Sequence, residues 1–348
     1  MNSKKRILVA PLDWGLGHAS RCIPIAQALE QEGFEVVFAA SGRPLSLLTQ
    51  EFPNNDFIKL EGYNIRYPKS GNMIGSMLSQ SIKIWKGIRQ EHRLLQQIIE
   101  DYNIDGVISD NRYGLYSYKV PCVFITHQLN IQSPIFSEFI KKTNFKYINK
   151  FDECWVPDDE NHSLSGQLSK EVDAQLTCRF IGALSRFNAL KKDEDLDILA
   201  IVSGPEPQRS LFEELLKKQL IASQKKALIV LGKTEEENDE QIEKLKVVSH
   251  LNANDLNQAM ANADVVISRS GYSTVMDIAK MNKRAIFIPT PGQTEQLYLA
   301  KYFYEKKTAF AMHQREFDLE KALERSKGFE PMTCHNEQNN WQNLFRLF

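Results

Sequence analysis

The chain has 348 residues, 42% of them apolar and 25% charged, with a formal net charge of −1. A nearly neutral chain gains little from phosphate counterion release, which excludes general nucleic-acid binding, and its length exceeds what one hydrophobic core usually serves. Five scattered cysteines (Cys22, Cys122, Cys154, Cys178, Cys334) without a CxxC spacing exclude a disulfide framework and a zinc site. No run approaches eighteen apolar residues, so the expectation is a reduced, cytoplasmic protein without a membrane-spanning helix.

In chain order, the first strand is expected at 6–10 (RILVA), running into PLDWGLGHASR and then a helix. A strand–helix connection needs one glycine at most, yet Gly15, Gly17, His18, Ser20 and Arg21 fall within seven residues. Glycines let a backbone approach a ligand, and the helix start offers N–H groups and a positive dipole end. His18 is a candidate general base, because an imidazole titrates near working pH. The plain alternative is a helix start with a surface histidine. Pro24 is expected in the first two helical turns, where it is tolerated. Further strands are expected at 35–40, 105–109, 121–126 and 153–156. Asp110 follows 105–109, either as a second candidate base or as a helix N-cap. His127 follows 121–126, where it reads as a satisfied strand-end histidine.

The segment 178–197 leads from an apolar run into charged residues, and the domain boundary is expected there: 1–182, then 183–330, with 331–348 a C-terminal helix packed on the domains. Strands then recur at 197–202, 226–231, 246–249, 264–268 and 284–288. Apolar strands alternating with helices give right-handed βαβ units, hence an α/β protein of two Rossmann-like, doubly wound domains facing across a cleft. Ligands in such sheets bind beyond the carboxyl ends of strands. Ser203, Gly204 and Arg209 follow the first strand of the second half and could hold a phosphate, or merely form a Pro-rich turn. Arg269, Ser270, Gly271, Tyr272, Ser273 and Thr274 follow a later strand. Ser273, Thr274 and Asp277 have capping-box spacing, which accounts for neither Arg269 nor the next strand end, PTPGQTEQ, with Gln293 and Gln296.

SRSGYSTVMDIA followed by IFIPTPGQTEQLYLA resembles the donor-binding region of GT-B glycosyltransferases. The likeness is greatest to family 28, the type that includes the N-acetylglucosaminyl transferase acting on lipid-linked peptidoglycan precursor. HLNANDLNQAMANADVVIS resembles that family's uracil-holding segment, ISDNRYGLYSYKVPCVFITHQLN its N-domain segment ending in a His-Glu-Gln motif, and WGLGHASR its acceptor-side loop. The likeness covers most of the chain in order, with 60–100 and 130–180 least constrained. It implies backbone contact with the base near Leu251 and ribose contact by Asp277, where the family generally has the longer Glu. Diphosphate contact would come from residues 270–274, and sugar contact from Gln296 and Gln293. His18 would be base or transition-state stabiliser, with His127 and Gln128 on the acceptor side.

The implied reaction moves a sugar from a nucleotide-diphosphate donor, a UDP-sugar, to a hydroxyl of an unknown acceptor, lipid- or glycan-linked, with no cofactor and no metal. Helix dipoles and N–H groups stabilise a leaving diphosphate without a cation, and the DEDLD run at 193–197 lies in the expected linker. Two alternatives stay open. GLGHASRC also resembles the histidine loop of the nucleotide-sugar hydrolase of pseudaminic acid synthesis, and a non-catalytic nucleotide-sugar binding protein would share the fold. No complete GxGxxG supports a dehydrogenase. Segments 74–99 and 139–150 carry apolar residues among Lys83, Lys86, Arg89, Arg93 and further lysines. They suit a peripheral contact with the inner membrane face, or helix faces packed on a sheet.

Overall fold

The computed structural model describes residues 4–63, 73–131, 137–170, 176–204, 206–233, 239–334 and 340–348, with backbone alone at 73–82 and 137. It divides into two compact units: Met1–His162 with Gln167–Gly182 and Glu337–Phe348, and Ser163–Gly166 with Ala183–Asn336.

The first unit runs β1 (Arg6–Pro11), α1 (Leu16–Gln31), β2 (Glu35–Ala40), α2 (Gly42–Glu51), β3 (Asp56–Lys59), α3 (Met73–Asp101), β4 (Gly106–Asp110), β5 (Cys122–Ile125), α4 (Ser137–Ile148), β6 (Glu153–Val156) and β7 (Cys178–Phe180). The second runs β8 (Leu196–Ile201), α5 (Gln208–Ser223), β9 (Ala227–Val230), β10 (Asp239–Ile242), β11 (Leu245–Val248), α6 (Ala253–Asn262), β12 (Ala263–Ser268), α7 (Tyr272–Lys280), β13 (Arg284–Phe287), α8 (Thr294–Glu305), β14 (Phe310–Ala311) and α9 (Leu319–Ser326). A final short helix, α10 (Trp341–Phe345), packs on the first unit, its Phe345 ring 5.9 Å from Phe34 and 6.1 Å from Trp155.

Every segment read as a strand forms one. The first sheet has the order β3-β2-β1-β4-β5-β6-β7, with all its pairs parallel. The second has the order β10-β11-β9-β8-β12-β13-β14, parallel except for the β10–β11 hairpin. Consecutive core residues such as Ile7, Leu8, Val9 and Ala10 are all buried, as a sheet covered on both faces requires. Each sheet reverses its winding once, between β1 and β4 and between β8 and β12. Loops diverge at those places and leave a crevice at the carboxyl edge.

One expectation needs correction. α1 begins at Leu16, so Pro24 lies beyond its second turn. Along α3, Ile88, Leu95, Ile98 and Ile99 are buried, as a packed face requires, whereas Trp85 is exposed. The side chains of Ile74, Met77, Leu78 and Ile82 lie outside the described residues. None of the described helices is long and apolar enough to cross a membrane.

Candidate active site

The loop after β1 reaches the first reversal point. Gly15 adopts φ 114°, a backbone closed to most side chains, and leads into α1, whereas Gly17 already lies in the first turn. This lifts His18 over the end of β4, where Pro11 and Asp110 are register partners. His18 Nδ1 lies 3.1 Å from Asp110 Oδ1. The histidine side chain is 19% exposed and the aspartate fully buried.

Arg21, one turn along α1, is also buried, so it is no substrate-side cation. Its Nε donates to Asp110 Oδ2 at 2.7 Å and its Nη2 to Oδ1. Burial alone would raise the Asp110 carboxyl, but Arg21 and then His18 outweigh it and hold it well below the usual range. Asp110 is therefore a fixed anion and a poor base; its place is behind His18, as an orienting acceptor. His127 is buried too, its Nδ1 3.5 Å from Arg21 Nη1. Gln128 is tied by its backbone, its N–H donating to Thr126 Oγ1 and its carbonyl accepting from Asn144. Asp13, in the same loop as His18, keeps a buried Oδ1 without a partner among the described residues.

Beneath this loop lies a second buried network that sequence reading missed. Arg112 donates from Nε to Glu91 at 2.7 Å and from its other nitrogens to the carbonyls of Pro11, Leu60 and Glu61. Tyr63 donates to the same carboxylate. Arg112 thus ties the end of β1 to the strand-end loop 60–61 and to α3.

In the second unit, β8, β12 and β13 end together and α5, α7 and α8 begin there. The starts of α7 and α8, with N-caps Gly271 and Gln293, have no side-chain cap. The expected capping box does not form. Asp277 instead accepts a 2.6 Å hydrogen bond from Ser185 Oγ. Burial pushes its carboxyl up to about 6, against the pull of Ser185 and Arg186. Around these helix starts, Gln208 Oε1, Ser268 Oγ, Thr290 Oγ1 and Gln293 Oε1 are buried without partners among the described residues. Unsatisfied buried polar atoms are costly, and a cluster at a strand edge marks a polar ligand surface. The Gln296 carboxamide oxygen accepts from Thr290 N–H at 2.8 Å, while its Nε2 faces Gly271.

Three sequence candidates in this unit sit differently. Arg269 is fully buried, stacked 4.0 Å over Phe212 and donating to the carbonyls of Ile288, Pro289 and Gln208 and to Gln314. It braces the loops around these strand ends. Arg209 pairs with Glu206 at 3.0 Å, and that carboxylate also accepts from Ser210 N–H in the first turn of α5. The start of α5 therefore already holds an anion, and Ser203 and Gly204 (φ 110°) form a turn beside it. Leu251 follows β11 and leads into α6, which is capped by Asn252.

Residues 198–343 match the glycosyltransferase family 28 C-terminal domain. Over 338 residues the chain is 25% identical to the UDP-N-acetylglucosamine--N-acetylmuramyl-(pentapeptide) pyrophosphoryl-undecaprenol N-acetylglucosamine transferase of Pasteurella multocida, covering 92% of this chain and 87% of that protein. The protein of the same name from Sulfurihydrogenibium sp. is 25% identical over 328 residues, covering 88% and 86%. Among solved structures, MurG of Acinetobacter baumannii gives a TM-score of 0.57 at 15% identity, covering 99% of this chain and 98% of that one. The calicheamicin glycosyltransferase CalG4 gives 0.64 at 12% identity, covering 100% and 94%. The chain is a glycosyltransferase of the GT-B fold. The family match in this glycosyltransferase begins within β8 and ends within α10, so it spans every donor-side residue named above from Ser203 to Gln296.

Proposed function

We propose that the chain transfers N-acetylglucosamine from a uridine diphosphate donor to a hydroxyl of a lipid- or glycan-linked acceptor, with His18 as the base. The observation that carries this is the His18 imidazole held against a buried, ionised carboxylate at the β1–β4 reversal point. With Nδ1–H donated to Asp110, Nε2 is left as a lone pair. It takes the acceptor hydroxyl proton as the oxygen attacks the anomeric carbon and the bond to the diphosphate breaks. The departing charge falls at the start of α7, residues 271–274, whose N-cap is Gly271. Backbone near Leu251 takes the base, Asp277 the ribose hydroxyls, and Gln296 with Gln293 the sugar.

The test is release of UDP by the purified protein in the presence and absence of acceptor glycans, beside a thermal-shift panel of UDP-, GDP-, TDP- and CMP-sugars. Selective stabilisation by UDP-sugars and acceptor-dependent UDP release are expected. Acceptor-independent release would make it a hydrolase, and binding without turnover a binding protein. Because the helix start takes the leaving charge, turnover is expected to survive EDTA; loss restored by a divalent cation would contradict this.

Donor affinity has a predicted pH dependence. Asp277 accepts ribose hydroxyls as a carboxylate, and its carboxyl titrates at about 6 in the free protein. Below that value the donor must expel a proton to bind. UDP affinity should therefore be constant above about pH 7 and fall by up to tenfold per pH unit once the group is fully protonated. Calorimetry at about pH 5.5 and 7.5 reads this directly, and Asp277→Asn should bind weakly at both.

The reading includes a peripheral contact with an anionic membrane through Trp85, 46% exposed, and Phe139, 71% exposed beside Lys141, Lys142 and Lys146. Liposome flotation lost on adding salt supports it, and absence of flotation at any salt ends it.

A further inference from the structure

Arg21 is in the wrong place for a substrate contact and in a telling place for His18. Its guanidinium touches both oxygens of Asp110, lies 2.9 Å from His18 Nδ1 and 3.5 Å from His127 Nδ1. An arginine only donates and a carboxylate only accepts. His18 Nδ1 stands against one of each: Arg21 at 2.9 Å and Asp110 at 3.1 Å. Two tautomers therefore compete. As N–H toward Asp110, Nδ1 leaves Nε2 basic; as a lone pair toward Arg21, it puts the proton on Nε2 and ends its use as a base.

Four charged or titratable groups are described in this cluster. Arg21 and Cys22 face Asp110 from α1, Asp110 itself ends β4, and His127 follows β5 behind Arg21. The Cys22 thiol, 3.8 Å from Asp110 Oδ2, is pushed up by burial and then by Asp110, so it stays neutral. Arg21 is thus the cation that balances a fully buried carboxylate. Without it, Asp110 would be an unpaired buried anion, and the adjacent imidazole would be the nearest group able to neutralise it by taking a proton.

We propose that Arg21 is a positioning residue that keeps His18 neutral. By pairing through Nε and Nη2 it keeps Asp110 ionised and charge-balanced, so His18 is not drawn into the imidazolium form. The carboxylate retains lone pairs to accept Nδ1–H. The proposal rests on the reading of His18 as base.

The experiment is nitrogen NMR of the full chain labelled at histidine, assigned by His18→Ala, together with the pH profile of kcat/KM. In the native chain His18 should be neutral at about pH 7.5; an imidazolium there would overturn the proposal, and a neutral ring with its proton on Nε2 would defeat the reading of His18 as base. In Arg21→Gln the imidazole should carry both protons at that pH. The acid limb of its kcat/KM profile should move up by about one pH unit or more, so activity recovers at least tenfold between about pH 6.5 and 8.5. A folded Arg21→Gln with a neutral imidazole and an unmoved limb would overturn the proposal even if turnover fell. Arg21→Lys, which keeps the charge, should leave the limb where it is in the native chain, and a shift equal to that of Gln would count against it. If Arg21→Gln does not fold, the native charge state of His18 and Arg21→Lys still decide the matter. Full turnover in His18→Ala would defeat the reading of His18 as base, separately from the imidazole spectra.

Discussion

Replacing His18 with alanine is expected to lower kcat by about 10²–10⁴-fold, the range over which a positioned acid or base contributes, while leaving affinity for the UDP-sugar within about twofold. The two effects separate because the base belongs to the loop after β1, whereas donor contacts belong to loops after β8, β12 and β13. Asp110→Asn should cost less in kcat than His18→Ala but more in stability. The amide retains an acceptor for Nδ1–H yet leaves Arg21 buried beside no anion, a loss of roughly 3–5 kcal/mol. Steady-state UDP release and calorimetric donor binding on the same preparations check both halves. A His18→Ala protein that loses donor binding in proportion to turnover would place the imidazole on the donor and contradict its role as base.

The sheets were legible because their strands are apolar on both faces, and no other element gives uninterrupted runs such as DILAIV or DVVIS. The strands that escaped notice are short or polar: DFIK at β3, CRF at β7, DEQI at β10 and FA at β14. Such edge strands bury little, so hydropathy has nothing to report. Loops at the strand ends were legible too, from their glycines and hydroxyls. Cation partners were not. Arg21, Arg209 and Arg269 all read as phosphate or substrate ligands from their neighbours in sequence. Their anions and carbonyls are Asp110, Glu206, Ile288 and Pro289, of which only Glu206 is close enough in sequence to suggest itself. Asp277 shows the same limit: its spacing from Ser273 promised a cap, while its actual partner, Ser185, is 92 residues away. What remained visible in retrospect was Thr290, in the quoted IPTPGQTEQ, whose hydroxyl is buried without a partner among the described residues.

The second large effect is expected in the network under the catalytic loop. Arg112→Met keeps the volume and removes the charge. It leaves the carboxylate of Glu91 buried and strips donors from the carbonyls of Pro11, Leu60 and Glu61. Breaking one side of a buried pair costs about 3–5 kcal/mol, which urea unfolding of the first unit would read as a lower midpoint. The loss should depend on pH, with a sign fixed by Glu91. Burial raises its carboxyl above the ordinary range even though Arg112 and Tyr63 pull the other way. A raised carboxyl binds its proton more tightly folded than unfolded. Its contribution to stability is therefore fully present at low pH and declines as pH climbs through the folded value. Removing Arg112 deletes the strongest force opposing that rise, so the titration moves higher still. The variant should lie nearest the native chain at the acid end of the range, where Glu91 gains its proton in both, and fall further behind as pH rises. Adding Glu91→Gln should recover part of the deficit at about pH 8 and less toward the acid end. A deficit equal at both pH values would assign the loss to the three carbonyls, and the charge of Arg112 would then matter only for the loop it holds in register beside His18.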